Sequence, residues 1–364
     1  MRAALLETGA SRMTVVDDVD LEDPRYGEVR VQVAWCGVCH SDVSQVDGVH
    51  PGMTPAVLGH EAAGIVVEVG PGVASLAVGD HVVLSPSAAC GVCYWCVRGE
   101  FSICVNSGAI AMSMLPDGTT RLQRRGEVIY RGLGLGAMAE QVIVGESAAI
   151  KIDADLPLDL ACIIGCAVQT GVGAVLNTAK VESGATVLVM GAGGIGLSIV
   201  QGARIAGATT IIVSDPVESR RERAMAVGAT HVIDPTADDV VGRSQSLTAV
   251  GVDYAFDAVG SGPLVDTGMA AIRNGGTTVM VGAPPLDHMA TVNVVGAMFG
   301  EKKLVGSLLG SCHAPRDFPR LVRLWQAGLL DLDAMVTDRR PLAEVNEAMD
   351  AMRQGIGVRT VLEF

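Results

Sequence analysis

The segment Met190-Gly191-Ala192-Gly193-Gly194-Ile195-Gly196 limits what this chain can fold into more than any other stretch. Gly191, Gly193 and Gly196 set a G-x-G-x-x-G spacing between an apolar run, Thr186 to Met190, and a helical pattern from about Gly194 to Ala206. In a chain with 45 glycines, that spacing alone describes only a turn. Its surroundings say more. A strand feeds the loop, a helix leaves it, and Asp215 follows the next apolar run, Thr210 to Ser214. The first glycine permits the tight turn, the second lets a pyrophosphate approach the backbone, and the third lets the helix pack on its sheet. Unpaired amides at the helix start then attract phosphate. Gly191, Gly193, Gly194, Ile195 and Gly196 are therefore assigned to dinucleotide binding. Asp215 would accept hydrogen bonds from ribose hydroxyls and repel a 2′-phosphate, which favours NAD over NADP. Arg220 and Arg221 stand close behind it, and Arg220 is assigned to the cofactor as well.

Strand and helix patterns alternate from about residue 160 onward, with later apolar runs at Val232-Ile233, Tyr254 to Ala258, Thr277 to Val281 and Lys303 to Val305. That alternation predicts βαβ units and a doubly wound parallel sheet in an α/β chain. The first 150 residues differ. Short alternating runs such as Val29 to Val33, Gly64 to Val69 and His81 to Leu84, separated by Gly70-Pro71-Gly72 and Gly79-Asp80, read as an irregular β-rich domain. The tail from about Phe318 carries two helical patterns and an apolar strand, Val358 to Phe364.

Nine cysteines, four of them clustered, in a chain expected to be cytosolic favour metal binding over a disulfide framework. Cys90-x2-Cys93-x2-Cys96-x7-Cys104 brings four soft ligands together at a spacing that closes a tetrahedral zinc site with no open position. A nucleic-acid-binding zinc ribbon would use similar spacing. It fits poorly with a net charge of −14, because phosphate recognition needs clustered Lys and Arg. Cys39, His60 and Cys166 are dispersed, and by spacing alone they could be three ordinary residues.

Taken in order, GVCHSD (37–42), GHEAAG (59–64), CGVCYWC with Cys104, IGC (164–166) with Thr170, and GAGGIG (191–196) resemble the zinc-containing medium-chain alcohol dehydrogenases. The likeness runs through nearly the whole chain to Val358-Arg359-Thr360. It implies a GroES-like β-rich catalytic domain, residues 1–166 and 308–364 with a zinc lobe at about 88–106, interrupted by a Rossmann NAD-binding domain at 167–307. It implies two zinc ions per chain: a structural one on Cys90, Cys93, Cys96 and Cys104, and a catalytic one on Cys39, His60 and Cys166. Two thiolates and one imidazole are the standard open set of an alcohol dehydrogenase. Asp42 and Glu61 would tune the metal and its ligands, His40 and Arg359 match pyrophosphate contacts, and Thr170 matches a residue beside the nicotinamide.

Ser41 matches the hydroxyl that carries the proton away from the substrate. Many relatives continue that relay with a histidine where this chain has Ser44; His50 is a possible substitute, or else an exposed loop histidine. Pro86 and Gly132 stand where liver-type relatives carry bulky aromatics, and Ala283 is another pocket position. The expected substrate is therefore a bulky primary or secondary alcohol, giving an aldehyde or ketone. The alternative is a thiol-adduct formaldehyde dehydrogenase acting with mycothiol or glutathione; a non-catalytic zinc-bearing NAD sensor is a third reading. The long segment between Cys104 and Gly136 suggests a homodimer of the liver-type branch. A cytoplasmic location, with no membrane or nucleic-acid partner, is expected from the apolar runs and the charge.

Overall fold

Alternation in the strand Glu28–Gly37 buries Val29, Val31 and Val33 and leaves Arg30 and Gln32 half-buried on the other face. Such a strand is stable once its apolar face is covered and its edges are paired. In the computed structural model, which describes residues 1–50 and 52–364, Glu61–Val69 takes one edge. Gln141–Gly145 and Arg359–Glu363 share the other. His81–Leu84, Ala149–Ile152 and Val336–Pro341 complete a seven-stranded sheet. A four-stranded sheet of Tyr130–Arg131, Ala56–Val57, Ala3–Leu6 and Thr14–Val16 encloses the same core, with Leu5, Val31, Leu58, Leu84, Met138 and Leu362 at its centre. These elements belong to one compact unit, Met1–Cys166 with His313–Arg323 and Met335–Phe364.

The second unit is Ala167–Cys312 with Leu324–Ala334. Its sheet is parallel throughout, in the order His231–Ile233, Thr210–Ser214, Thr186–Met190, Val252–Asp257, Ile272–Met280, Lys303–Gly306. In chain order that is 3-2-1-4-5-6, the doubly wound dinucleotide-binding arrangement. Val187 to Met190 and Ile211 to Val213 are buried without interruption, as strands covered on both faces must be. The helix after the first strand is Gly194–Ala206, and Gly207 ends it with a φ of 84°.

The chain re-enters the first unit at His313 rather than at 308. Cys312 Sγ contacts the Gln169 carbonyl at 3.4 Å and Asn177 Nδ2 donates to the Gly310 carbonyl at 3.3 Å, which ties this stretch to the second unit. Leu324–Ala334 is held there too. The Gln201 amide donates to the Asp331 carbonyl at 3.1 Å and accepts the Asp331 amide at 2.6 Å, while Arg204 Nη2 donates to the Leu329 carbonyl at 2.7 Å. Among the described residues, no single helix is long and apolar enough to cross a membrane.

Candidate active site

Strand register assembles the first cluster. Gly37 stands opposite Glu61 in one pairing and opposite Val361 in another, so the segments carrying Cys39, His60 and Arg359 meet at one end of the sheet. Cys39 precedes the short helix His40–Val46, and Asp42 in its first turn accepts the Cys39 amide at 2.9 Å and the Gly59 amide at 3.1 Å. Cys166 arrives from the turn Cys162–Gly165. One ligand atom from each of Cys39, His60, Glu61 and Cys166 lies within 4.8 Å of the others, and all four residues are buried. His60 Nδ1 lies 3.3 Å from Asp42 Oδ1, which fixes the ring. His60 Nε2 is buried and has no hydrogen-bond partner among the described residues. A nitrogen so placed beside two thiols is costly unless an electrophile meets it, and a borderline-soft divalent cation such as zinc fits that set.

The charges point the same way. Burial opposes a charged His60, but the Asp42 carboxylate outweighs it and holds the imidazole pKa well above its ordinary value. The Cys166 thiol, helped by Arg359, holds Cys39 well below the usual thiol range, and sharing that hydrogen leaves Cys166 well above it. Burial pushes the Glu61 carboxyl up to about 7 against the pull of Arg359, whose Nε lies 3.2 Å away. Without a metal, the buried acids of this cluster are matched by two positive groups, the His60 imidazolium and the Arg359 guanidinium. A divalent cation in the donor set would take the place of the imidazole proton and of the hydrogen shared by the thiols.

The second cluster is local. Three short turns, Cys96–Arg98, Phe101–Ile103 and Val105–Ser107, take the place of regular strands around it. Backbone amides point at sulfur: Cys90 N–H to Cys104 Sγ at 3.2 Å, Cys93 N–H to Cys90 Sγ at 3.3 Å, and Asn106 N–H to Cys104 Sγ at 3.4 Å. The four sulfurs lie within 4.8 Å of one another and none is in a disulfide. The amides of Val105 and Cys96 hold Cys93 down to about 6, whereas burial pushes Cys96 up to about 12. Four thiols in such a cradle suit a closed tetrahedral zinc site.

In the second unit the glycine loop is shaped by close approach. A Cβ at Gly196 would collide with the Gly191 carbonyl oxygen, whereas a Cβ at Gly193 would meet nothing within 4 Å. The open side of Gly193, at the start of the Gly194–Ala206 helix, is a cradle of the kind a pyrophosphate occupies. Asp215 is buried and accepts the Ala192 amide at 2.8 Å and the Val217 amide at 2.9 Å, which fixes its carboxylate beside the loop. Arg221 is spent on the Asp215 carbonyl at 2.8 Å and on Asp234 at 3.1 Å. Arg220 Nε and Thr170 Oγ1 are buried and have no hydrogen-bond partner among the described residues. These residues fit a dinucleotide.

Other expected residues fall in varied places. Ser41 Oγ lies 3.8 Å from Cys39 Sγ, at the edge of the buried cluster. His40 is exposed at the start of its helix. His50 is half-buried, and its amide donates to the Ser44 carbonyl at 3.1 Å. Arg359, matched by resemblance to a pyrophosphate contact, is only 4% exposed, faces Glu61, and gives Nη1 to the Val38 carbonyl at 2.7 Å. Resemblance puts Glu61 beside the metal ligands, but its ion pair with Arg359 leaves no signal in the sequence. Gly132 does not widen a pocket: a Cβ there would run into the Leu58 side chain and meet its Cα at 3.0 Å. Pro86 lines a cavity to which none of the four cluster residues contributes.

Comparison with known proteins covers the whole chain. The profile described as alcohol dehydrogenase GroES-like domain matches residues 25–154, and that described as zinc-binding dehydrogenase matches residues 194–327. The chain is 35% identical to an S-(hydroxymethyl)glutathione dehydrogenase of Paracoccus denitrificans, over 100% of this chain and 99% of that protein. Among solved structures, an alcohol dehydrogenase zinc-binding domain protein from Burkholderia ambifaria superposes with a TM-score of 0.95 at 37% identity, over 100% of this chain and 98% of that one. The benzyl alcohol dehydrogenase of Acinetobacter calcoaceticus superposes with a TM-score of 0.94 at 33% identity, over 100% and 99%.

Proposed function

The chain belongs to the zinc-containing medium-chain alcohol dehydrogenase family, and from that premise we propose that it interconverts a bulky primary or secondary alcohol and its aldehyde or ketone with NAD. The buried set of Cys39, His60 and Cys166, with His60 Nε2 unpartnered, carries this reading. When bound, zinc would polarise the alcohol oxygen so that its proton leaves near neutral pH, and NAD would take up the hydride.

The residues around that set have separable tasks. Asp42 orients the His60 ring and the Cys39 backbone together, so both ligands keep one geometry. Glu61 has Arg359 as a standing partner at 3.2 Å, which leaves the substrate oxygen a place among the donors. Ser41 takes the hydroxyl proton and passes it outward. His50, whose backbone amide bonds the Ser44 carbonyl, would continue the relay beyond Ser41. In the second unit Gly191, Gly193, Gly194, Ile195 and Gly196 would cradle the pyrophosphate and Thr170 would face the nicotinamide. Arg220 would lie along the adenosine, and Asp215 would select the unphosphorylated ribose.

Likeness to the Acinetobacter benzyl alcohol dehydrogenase supports an aromatic or similarly bulky alcohol. Likeness to the Paracoccus S-(hydroxymethyl)glutathione dehydrogenase keeps a second reading in play, in which the alcohol is a thiol adduct of formaldehyde. A homodimer is supported by the exposed edge strand Lys303–Gly306 and by the apolar surface of Leu286, Met289, Val294, Met298 and Phe299 before it. The deciding experiment is a panel of alcohols with NAD and NADP, alongside zinc analysis. Benzyl alcohol oxidised with NAD at a higher kcat/KM than ethanol, by protein holding two zinc ions, is the expected result. Formaldehyde oxidation only in the presence of a low-molecular-weight thiol would move the assignment to the second reading.

A further inference from the structure

Within the first unit a separate cavity of about 340 Å³ runs from an exposed rim at Arg25, Tyr26 and Ser147 to a buried floor at Arg131 and Leu135. Neither Cys39, His60, Glu61 nor Cys166 lines it. Arg131 is 1% exposed, on the short strand Tyr130–Arg131. Its Nη1 donates to the Ile143 carbonyl at 2.6 Å, with the Thr120 carbonyl at 3.5 Å. Its Nε and Nη2 are buried and have no hydrogen-bond partner among the described residues. Those two nitrogens form one edge of the guanidinium, the edge that meets a carboxylate with two parallel hydrogen bonds.

The other charges in the cavity wall are already matched. Glu28 is taken by Arg121 at 2.7 and 3.1 Å and by the Arg25 amide at 2.8 Å. Arg121 also bonds Asp117 at 2.7 Å and the Thr119 hydroxyl, and Arg25 pairs with Glu22 at 2.8 Å. Burial pushes the Arg131 pKa down to about 10, so the group remains a cation at neutral pH. A buried cation with two idle donors, on a residue in the wall of a cavity, is a configuration native proteins avoid unless something meets those donors.

We propose that this cavity binds a monocarboxylate with an apolar tail, its carboxylate held by Nε and Nη2 of Arg131 and its tail by Leu115, Leu135, Val144 and Ala148. One idle fork matches one planar monoanion, whereas a phosphate dianion would need donors that Arg25 and Arg121 have already spent. The volume lies at the lower end for small-molecule sites, which suits an aryl or medium-chain alkyl carboxylate. The site is independent of the dehydrogenase reading.

Calorimetric titration and thermal melting of the full-length, metal-replete protein with benzoate and octanoate test this, with sodium chloride and methylphosphonate at matched ionic strength. Saturable binding of a carboxylate, with no equivalent from chloride or methylphosphonate, is expected. Arg131→Lys keeps the charge but loses the fork, and should weaken binding by about tenfold or more. Ser147→Trp, at the exposed rim, should block entry while leaving the melting temperature of the unliganded protein unchanged. Cys166→Ser should leave carboxylate binding intact. The proposal is overturned by absence of saturable binding, by equal binding of methylphosphonate, or by binding that survives both Arg131→Lys and Ser147→Trp. Loss of binding in Cys166→Ser would place the carboxylate at the metal cluster instead and refute it as well.

Discussion

The two sulfur clusters use the same element of chemistry in opposite ways. Cys90, Cys93, Cys96 and Cys104 come from one short loop, are partly open to solvent at Cys90 and Cys93, and are steadied by backbone amides aimed at sulfur. Cys39, His60 and Cys166 come from three distant segments, are buried, and are steadied by side-chain charges: Asp42 on His60, Arg359 opposite Glu61. Four thiols close a coordination shell, so the loop cluster has nothing left to offer a reactant. The buried cluster has two thiols, one ring nitrogen and a carboxylate that already owns another partner, so it can exchange a ligand. A site that must hold its shape can rely on local chain, whereas a site that must react needs charges brought in from elsewhere in the fold.

Replacing one ligand in each cluster should therefore break different properties. Cys166→Ser is expected to lower kcat/KM by roughly a thousandfold or more, since several kcal/mol of charge stabilisation is lost at about 1.36 kcal/mol per decade. Zinc content should fall from two ions to one with little change in melting temperature, because the surrounding core of Leu58, Leu84 and Met138 is untouched. Cys93→Ser should do the reverse. A loss of about 3–4 kcal/mol would lower the melting temperature by roughly 10 °C, with kcat/KM near wild type at temperatures where the protein stays folded. A mild chelator should reproduce that order in the wild type, stripping the half-exposed loop site first. Should both substitutions cost activity equally and stability equally, the division of labour is wrong.

Asp42→Asn tests whether the buried cluster depends on charge or only on shape. The amide keeps the volume and can accept the Cys39 N–H, but its NH2 then faces the Gly59 N–H and His60 Nδ1, and it cannot balance a positive ring or metal. A loss of about 10- to 100-fold in metal affinity and kcat/KM is expected, measured by competition with a chromogenic chelator and by initial rates. An unchanged metal affinity would reduce Asp42 to a helix cap.

Legibility in the sequence follows the same contrast. The strand Thr186–Met190, the helix Gly194–Ala206 and the strand Thr210–Ser214 were readable because their signals are local: periodicity, a glycine loop and turn residues. The loop cluster was readable because its ligands share fifteen residues, Cys90 to Cys104. Nothing local links Cys39 to Cys166. Cys39 meets His60 through the pairing of Gly37 with Glu61, and Cys166 joins them from the turn Cys162–Gly165, so only resemblance could name the set beforehand. The ion pair of Arg359 with Glu61 and the idle fork of Arg131 are products of register and burial too, and no spacing announces either. The failed expectation at Gly132 has the same origin: a small residue in the chain says nothing about whether its empty side faces a pocket or, as here, Leu58.

The smallest expected effect concerns how far the charged network around the buried cluster extends. His50 is half-buried and its backbone amide is held by the Ser44 carbonyl at 3.1 Å, which ties it to the segment after Ser41 and makes it the residue on which to test a longer relay. His50→Ala should lower kcat by less than about tenfold, below the roughly hundredfold or more of a group that transfers the proton directly, because water can carry a proton the same distance. The informative readout is the pH dependence. A relay through His50 predicts an altered pH–rate profile and partial rescue by added imidazole, with KM and zinc content unchanged. A profile identical to wild type would end the network at Ser41, and the buried cluster would then exchange its proton directly with solvent.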